Sequence, residues 1–159
     1  MENNRNVIGL YIRVSTGQKD KGRLEMQKKE CTRAAHELFG KEIDMKCYVD
    51  EGSGTKSNSE RNRMLGDAKH GELDAIITFN VSRISRTLSH ALKVVKEIHN
   101  ANVRFIGIIE GEYNPHHRSL EFGILEAVAH YQREDHAERI RQGIALKKQL
   151  KKAGEHNEK

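Results

Sequence analysis

The stretch "VIGLYIRVST", residues 7–16, decides the fold. Its start, Val7 to Tyr11 with Gly9 among them, has the composition of a buried strand, yet it runs straight into Arg13 and Ser15. Side chains alternate in direction along an extended chain. Tyr11, Arg13 and Ser15 therefore point one way, and Ile12 and Val14 point the other. The second set can serve the core, while Arg13 and Ser15 leave the strand end together. Ligands of open α/β sheets bind outside the carboxyl ends of the strands, so this pair stands where a site is expected.

Outward from that strand the pattern alternates. Residues 45–49, "DAIITF" at 74–79 and "VRFIGII" at 103–109 read as further strands. Cys31, Ala34, Ala35 and Leu38 recur at helical spacing and end near Gly40. A short helix is expected over 61–70, stopped by Gly71. Another is expected over 83–100, with Leu88, Ala91, Leu92, Val95 and Ile98 on one face. Loops are expected at 19–25, which is charged and contains Gly22, at 50–59, and at 111–118. Strands alternating with helices imply an α/β three-layer sandwich with a mostly parallel central sheet.

From Ser119 onward no Gly or Pro interrupts the chain until Gly143, and helical composition continues to about Ala153. Some 35 residues at ~1.5 Å each would make a rod of roughly 50 Å. Its first half is apolar on more than one side, through Leu120, Phe122, Ile124, Leu125, Val128, Ala129 and Tyr131. Such a helix must bury both sides, one on its own sheet and one on a partner chain. Its second half carries Arg133, Arg139, Arg141, Lys147, Lys148, Lys151 and Lys152 beside a thin stripe of Ala137, Ile140 and Ile144. The expected organisation is a core over 1–118, a long dimerisation and polyanion-facing helix over 119–153, and a polar tail over 154–159.

Bulk properties agree with one soluble domain. The chain has 159 residues, 36% hydrophobic and 32% charged, with 28 Lys+Arg against 23 Asp+Glu and formal charge +5. That balance favours a polyanionic partner. The two cysteines, Cys31 and Cys47, are expected to be reduced core thiols, and the nine histidines show no zinc spacing with them. No apolar run approaches the ~20 residues needed to span a bilayer. The polar N-terminus has no apolar signal core, so a cytoplasmic protein is expected.

Two clusters can carry chemistry. Arg13 and Ser15 end the first strand. Arg83 and Arg86 follow the third strand, three residues apart within "VSRISR". At the start of a helix this pair would share a face and oppose the macrodipole, an arrangement that suits a bound anion. Ser53-Gly54, followed by Arg61, is a third and weaker candidate. No histidine stands in a recognisable triad pattern with any of these serines, which argues against acyl transfer. Phosphoryl transfer instead loads negative charge onto non-bridging oxygens, and guanidinium forks match that geometry. No Gly-Lys-Ser/Thr loop follows the first strand, which argues against a nucleoside triphosphatase.

In this combination the chain resembles the catalytic domain of serine site-specific recombinases, the resolvase/invertase family. The resemblance rests on "YIRVSTGQ", "DEGSGT", "GELDAIITFNVSRISR" and "ILEAVAHYQREDHAERIRQG" in that order, and covers nearly the whole chain. The gap between Ser15 and Asp50 is more like the large members, integrases and transposon recombinases.

The resemblance implies Ser15 as a nucleophile forming a 5′-phosphoserine link to DNA. It implies Arg13, Arg83 and Arg86 on the scissile phosphate, with Gln18 and Ser53 supporting the site. It also implies a homodimer and a synaptic tetramer, with no metal, cofactor or small-molecule substrate and no membrane. Arg133 and Arg139 would lie near the DNA backbone and the synaptic interface. The family also carries a DNA-binding region beyond the long helix, which a sequence ending at Lys159 does not include.

Three positions depart from the family pattern. Ser82 stands where Asp is common before Arg83, and Gln132 where Glu is common before Arg133. Arg61 is three residues from the usual place of the arginine after the Ser-Gly loop, so it is expected to reach the site from a loop, with Arg63 a weaker candidate. These departures motivate an alternative, a catalytically degraded DNA-binding or oligomerisation module of the same fold. An unrelated receiver-like domain would need acidic residues where Arg13 and Ser15 stand.

Overall fold

The computed structural model describes residues 6–14, 20–52, 58–116 and 122–129, together with 132, 139–141, 143, 144 and 147. Strand β1 (Val7–Val14) is central, and it pairs in parallel with β2 (Asp44–Glu51) on one side and β3 (Ala75–Thr78) on the other. Strand β4 (Arg104–Gly107) continues the parallel sheet, and a two-residue β5 (Gly111–Glu112) closes it antiparallel, giving the order β2-β1-β3-β4-β5. The expected loop at 111–118 thus begins as an edge strand.

Alternation along the strands builds two cores. Ile8 and Leu10 of β1, with Ala75 and Ile77 of β3 and Ile106 of β4, pack on Cys31 and Ala35 of helix α1 (Asp20–Phe39). On the opposite face Tyr11, Tyr48, Ile76 and Phe105 meet helices α2 (Ser59–Lys69) and α3 (Leu88–Asn100). Phe122 and Ala129, at the ends of the helical stretch 122–129, join this second core. Helices on both faces of a mostly parallel sheet make the expected three layers. Because both faces are covered, Tyr11 is as fully buried as Ile12, although only Ile12's side of the strand was expected to serve the core.

Several boundaries differ from the sequence expectation. Helix α1 starts at Asp20, so most of the expected 19–25 loop is helix. Buried Gln27, four residues before Cys31, carries the helix's inner face back toward its start, and Gly22 lies in open space where its cost of about 1 kcal/mol is tolerated. Leu38 shares the angular position of Cys31, but it is 53% exposed in the last turn, where Phe39 packs instead. Gly40, with φ of +84°, then ends the helix as expected.

Strand β2 takes in Asp50 and Glu51 from the expected 50–59 loop, and α2 takes in Ser59 and Glu60. Cys47 is exposed rather than in the core, because β2 is the sheet's edge. Helix α3 begins at Leu88, five residues later than expected, behind a 3₁₀ turn at Val81–Arg83. Val81 and buried Ile84 are drawn into the protein here, and Thr87 is extended. Of the long C-terminal helix, 122–129 and the separately described positions are helical. Leu125 packs on the core, while Ile124 and Val128 are exposed.

Candidate functional site

The site forms where β1, β2 and β3 end side by side. Register places Arg13 opposite Asp50 and Tyr11 opposite Thr78, so the last residues of three strands are neighbours before any loop is considered. Ser15, Gln18 and Ser53 lie outside the described residues, as do Arg133, Lys148 and Lys151. Arg13, Arg61, Arg83 and Arg86 are described, and the first three are joined by short links.

A guanidinium nitrogen of Arg13 donates to the Ser82 carbonyl at 2.8 Å. In return Arg83 Nη1 donates to the Arg13 carbonyl at 3.4 Å, and Gln27 Nε2 reaches the same carbonyl at 3.4 Å. Asn80 Oδ1 accepts from Ser82 Oγ at 2.7 Å and from Arg83 Nε at 3.3 Å. The end of β1 and the turn after β3 are therefore laced together. Burial, and then repulsion from Arg83, Arg86 and Arg61, holds the Arg13 pKa below its ordinary value.

Arg61 departs from the expectation that it reaches the site from a loop. It stands in the first turn of α2 and is only 8% exposed. Its Nη1 donates to the Ile84 carbonyl at 2.9 Å, within the segment that carries Arg83 and Arg86, while its Nε has no hydrogen-bond partner among the described residues. Arg63 is turned away, paired with Glu60 and stacked over the Tyr48 ring at 4.6 Å. Arg83 and Arg86 are not on a helix, as their spacing suggested. Arg83 ends the 3₁₀ turn, and exposed Arg86 precedes the Thr87 cap of α3. The macrodipole cost expected of them does not arise.

Two acidic residues absent from the sequence expectation organise this ground. Asp50 is 2% exposed and accepts from the Tyr11 hydroxyl at 2.9 Å, the Glu60 amide at 3.1 Å and the Arg61 amide at 3.0 Å. It does for α2 what the formal cap residue Asn58 does not, since Asn58 makes no side-chain cap bond. Burial, followed by the Asp50 charge, pushes the Tyr11 hydroxyl pKa up, so it remains a donor. Glu110, after β4, accepts from the Val81 amide at 3.2 Å with both carboxylate oxygens.

The Asp50 signal was present at the head of "DEGSGT", a carboxylate at a strand end with a helix start nine residues on. Asn80 stood just before the arginine pair. Gln27 was hidden by the late start assigned to α1. Glu110 gave no local signal, because its partner is 29 residues away.

Two groups of arginine stand out among the described residues. Arg33, Arg63 and Arg104 each pair with a glutamate. Arg13, Arg61, Arg83 and Arg86 have no carboxylate partner among the described residues, though they lie together at the strand ends. Arg13, Arg61 and Arg83 are held by bonds to backbone carbonyls, and guanidinium groups so placed suit an anion with several oxygens. Among the described residues no cluster of metal-ligating side chains occurs, and no helix is long and apolar enough to cross a membrane. Arg139, Arg141 and Lys147 are described and exposed, away from this cluster in the chain.

A Bacillus subtilis (strain 168) protein described as "Putative DNA recombinase" is 29% identical over 142 residues, covering 86% of this chain but only 27% of that protein. The crystal structure of a resolvase family site-specific recombinase from Streptococcus pneumoniae is 27% identical with a TM-score of 0.71, covering 90% of this chain and 98% of that one. The N-terminal catalytic domain of TP901-1 integrase shares the fold at 22% identity and a TM-score of 0.62, covering 81% of this chain and 98% of that one. The model described as "Resolvase, N terminal domain" matches residues 8–153, from the second residue of β1 through the C-terminal helical positions, and so the chain belongs to the resolvase family.

Proposed function

We infer that this chain is the catalytic domain of a serine site-specific recombinase that breaks and rejoins DNA strands through Ser15. The observation that carries this is the set of arginines without carboxylate partners among the described residues, Arg13, Arg61, Arg83 and Arg86, at the end of the strand that leads into Ser15. The Ser15 oxygen attacks the phosphorus of a DNA phosphodiester and loses its proton. The bond to the 3′-oxygen breaks, leaving a 3′-hydroxyl and a 5′-phosphoserine. The reverse attack by a 3′-hydroxyl reseals a strand. Phosphoester is exchanged for phosphoester, so the cycle needs no external energy source.

In this scheme Arg13, Arg83, Arg86 and Arg61 stabilise the charge on the non-bridging oxygens, with Gln18 and Ser53 supporting the nucleophile. Residues 1–118 form the catalytic core. Residues 119–153 supply the homodimer and synaptic tetramer contacts, and Arg133, Arg139, Arg141, Lys147, Lys148 and Lys151 meet the DNA backbone. Binding through such phosphate contacts falls steeply with salt.

The substitution at Ser82 is compatible with activity. Arg13 contacts the residue 82 carbonyl, which any residue supplies, and the Ser82 hydroxyl holds Asn80.

The test is covalent capture. The encoded protein is incubated with a duplex selected for binding and nicked at its centre, then denatured. A protein–DNA adduct that disappears in Ser15→Ala is the expected result. Specific binding without an adduct on any selected duplex would favour the degraded DNA-binding module.

A further inference from the structure

We propose that Glu110 is a positioning residue for DNA cleavage, the remote cap that holds the Val81–Arg83 turn so that Arg83 faces the scissile phosphate. This deepens the recombinase reading and rests on it.

The turn has a capping problem. Its first amide, at Val81, has no partner within the turn and needs an acceptor from outside it, and the residue before it, Asn80, gives the turn no side-chain cap either. Asn80 is extended, with φ of −154° and ψ of 163°, and makes no side-chain cap bond. Its Oδ1 is already occupied by Ser82 Oγ and Arg83 Nε. Asn80 therefore aims the arginine and leaves the turn uncapped. The acceptor comes from another element, where both oxygens of Glu110 lie 3.2 Å from the Val81 amide.

Two further observations indicate a fitted contact. The chain after β4 is tied along the end of β3, with the Ile108 amide donating to the Thr78 carbonyl at 3.0 Å and the Ile109 amide to the Phe79 carbonyl at 3.3 Å. This delivers Glu110 to the turn. Next, Gly107 leaves the space that the carboxylate fills. A Cβ at position 107 would fall on Glu110 Oε2, while nothing else near it is so close. A glycine at the end of β4, a carboxylate three residues on and a turn after β3 form one device. The arginine turn is thereby fastened to the segment that runs on toward the C-terminal helix.

The test uses the encoded protein and the nicked duplex, comparing Glu110→Leu, Glu110→Gln and Gly107→Ala. Glu110→Leu and Gly107→Ala should slow adduct formation about tenfold or more, as expected when a positioned transition-state donor is loosened. DNA affinity should stay close to wild type. Glu110→Gln, which keeps a carbonyl acceptor, should restore most of the rate. Wild-type rates in Glu110→Leu, or a Gln variant as slow as the Leu variant, would overturn the proposal while leaving Ser15 as the nucleophile.

If the wild type forms no adduct, the recombinase reading fails by itself, and hydrogen exchange at the Val81 amide decides the role of Glu110. Faster exchange in Glu110→Leu and Gly107→Ala, with neighbouring strands unchanged, supports the cap. Unchanged exchange overturns it.

Discussion

The Tyr11 hydroxyl donates to Asp50 Oδ2 at 2.9 Å, across adjacent strands and beneath the first turn of α2. Asp50 in turn holds the amides of Glu60 and Arg61, so one buried carboxylate connects β1, β2 and the helix that carries Arg61. Asp50→Ala leaves those amides and the Tyr11 hydroxyl without their acceptor, at a cost of about 1–3 kcal/mol for each group stranded. Tyr11→Phe removes one bond only and should cost about 1 kcal/mol. Urea unfolding should rank the variants in that order, and a Tyr11→Phe protein less stable than Asp50→Ala would contradict the arrangement.

The same tyrosine sets an alkaline limit. Its pKa is raised in the folded protein, chiefly by burial and then by Asp50. Above pH of about 10, the ordinary tyrosine value, the unfolded chain sheds a proton that the folded chain keeps. Stability is therefore undiminished by this group at neutral pH and falls as pH rises beyond that value. Tyr11→Phe should flatten part of the fall, measured by unfolding at pH values on either side of 10. An unchanged slope would mean that Tyr11 ionises freely in the folded state.

The two groups of arginine give a differential test. Arg13→Ala and Arg83→Ala remove candidate transition-state donors, and each should lower the rate of adduct formation by about 10²–10³-fold. Arg33→Ala and Arg104→Ala remove partners of exposed ion pairs, worth about 0–1 kcal/mol to stability, and should leave that rate within twofold or so. Equal losses in both groups would remove the distinction on which the phosphate site rests.

The thiols separate by burial. The Cys31 thiol is pushed up to about 12, first of all by burial, and is fully enclosed between α1 and the sheet. Cys47 is exposed on the edge strand. At pH 8 the native protein should react with one equivalent of a disulfide reagent at Cys47, and a second only in denaturant. Rapid native labelling at Cys31 would mean that α1 opens from the sheet.

Much of this fold was legible because the signals were local. The apolar runs around β1 and β3 carry enough buried residues to declare themselves, and Gly40 and Gly71, both at positive φ, mark helix ends that their positions foretold. What escaped depended on distant partners. The late start of α3 depends on buried Val81 and Ile84 and on a cap supplied by Glu110, none of which the spacing of Arg83 and Arg86 contains. Asp50 looked like the first residue of a loop because its three donors arrive from β1 and α2. The exposure of Cys47 follows from strand order, a property of the assembled sheet. The arginines drew attention by residue type, while the backbone that carries Arg83 and Arg86 differs from the helix start their spacing predicts.

The helical stretch 122–129 separates two effects that the sequence combined. Leu125 packs on the core beside Phe122 and Ala129, and Glu126 pairs with Lys96 of α3 at 3.0 Å, which fastens one side of the stretch to the domain. Ile124 and Val128, one turn apart, are 53% and 41% exposed. Leu125→Glu should therefore destabilise the domain, because it puts a carboxylate in place of an apolar, partly buried contact with the core. Ile124→Glu and Val128→Glu should leave the melting temperature nearly unchanged and reduce self-association, as expected of a face covered by a second copy. Sedimentation over a concentration series distinguishes these outcomes. A protein that is monomeric throughout, with Val128→Glu indistinguishable from wild type, would show that this face is not the dimer contact.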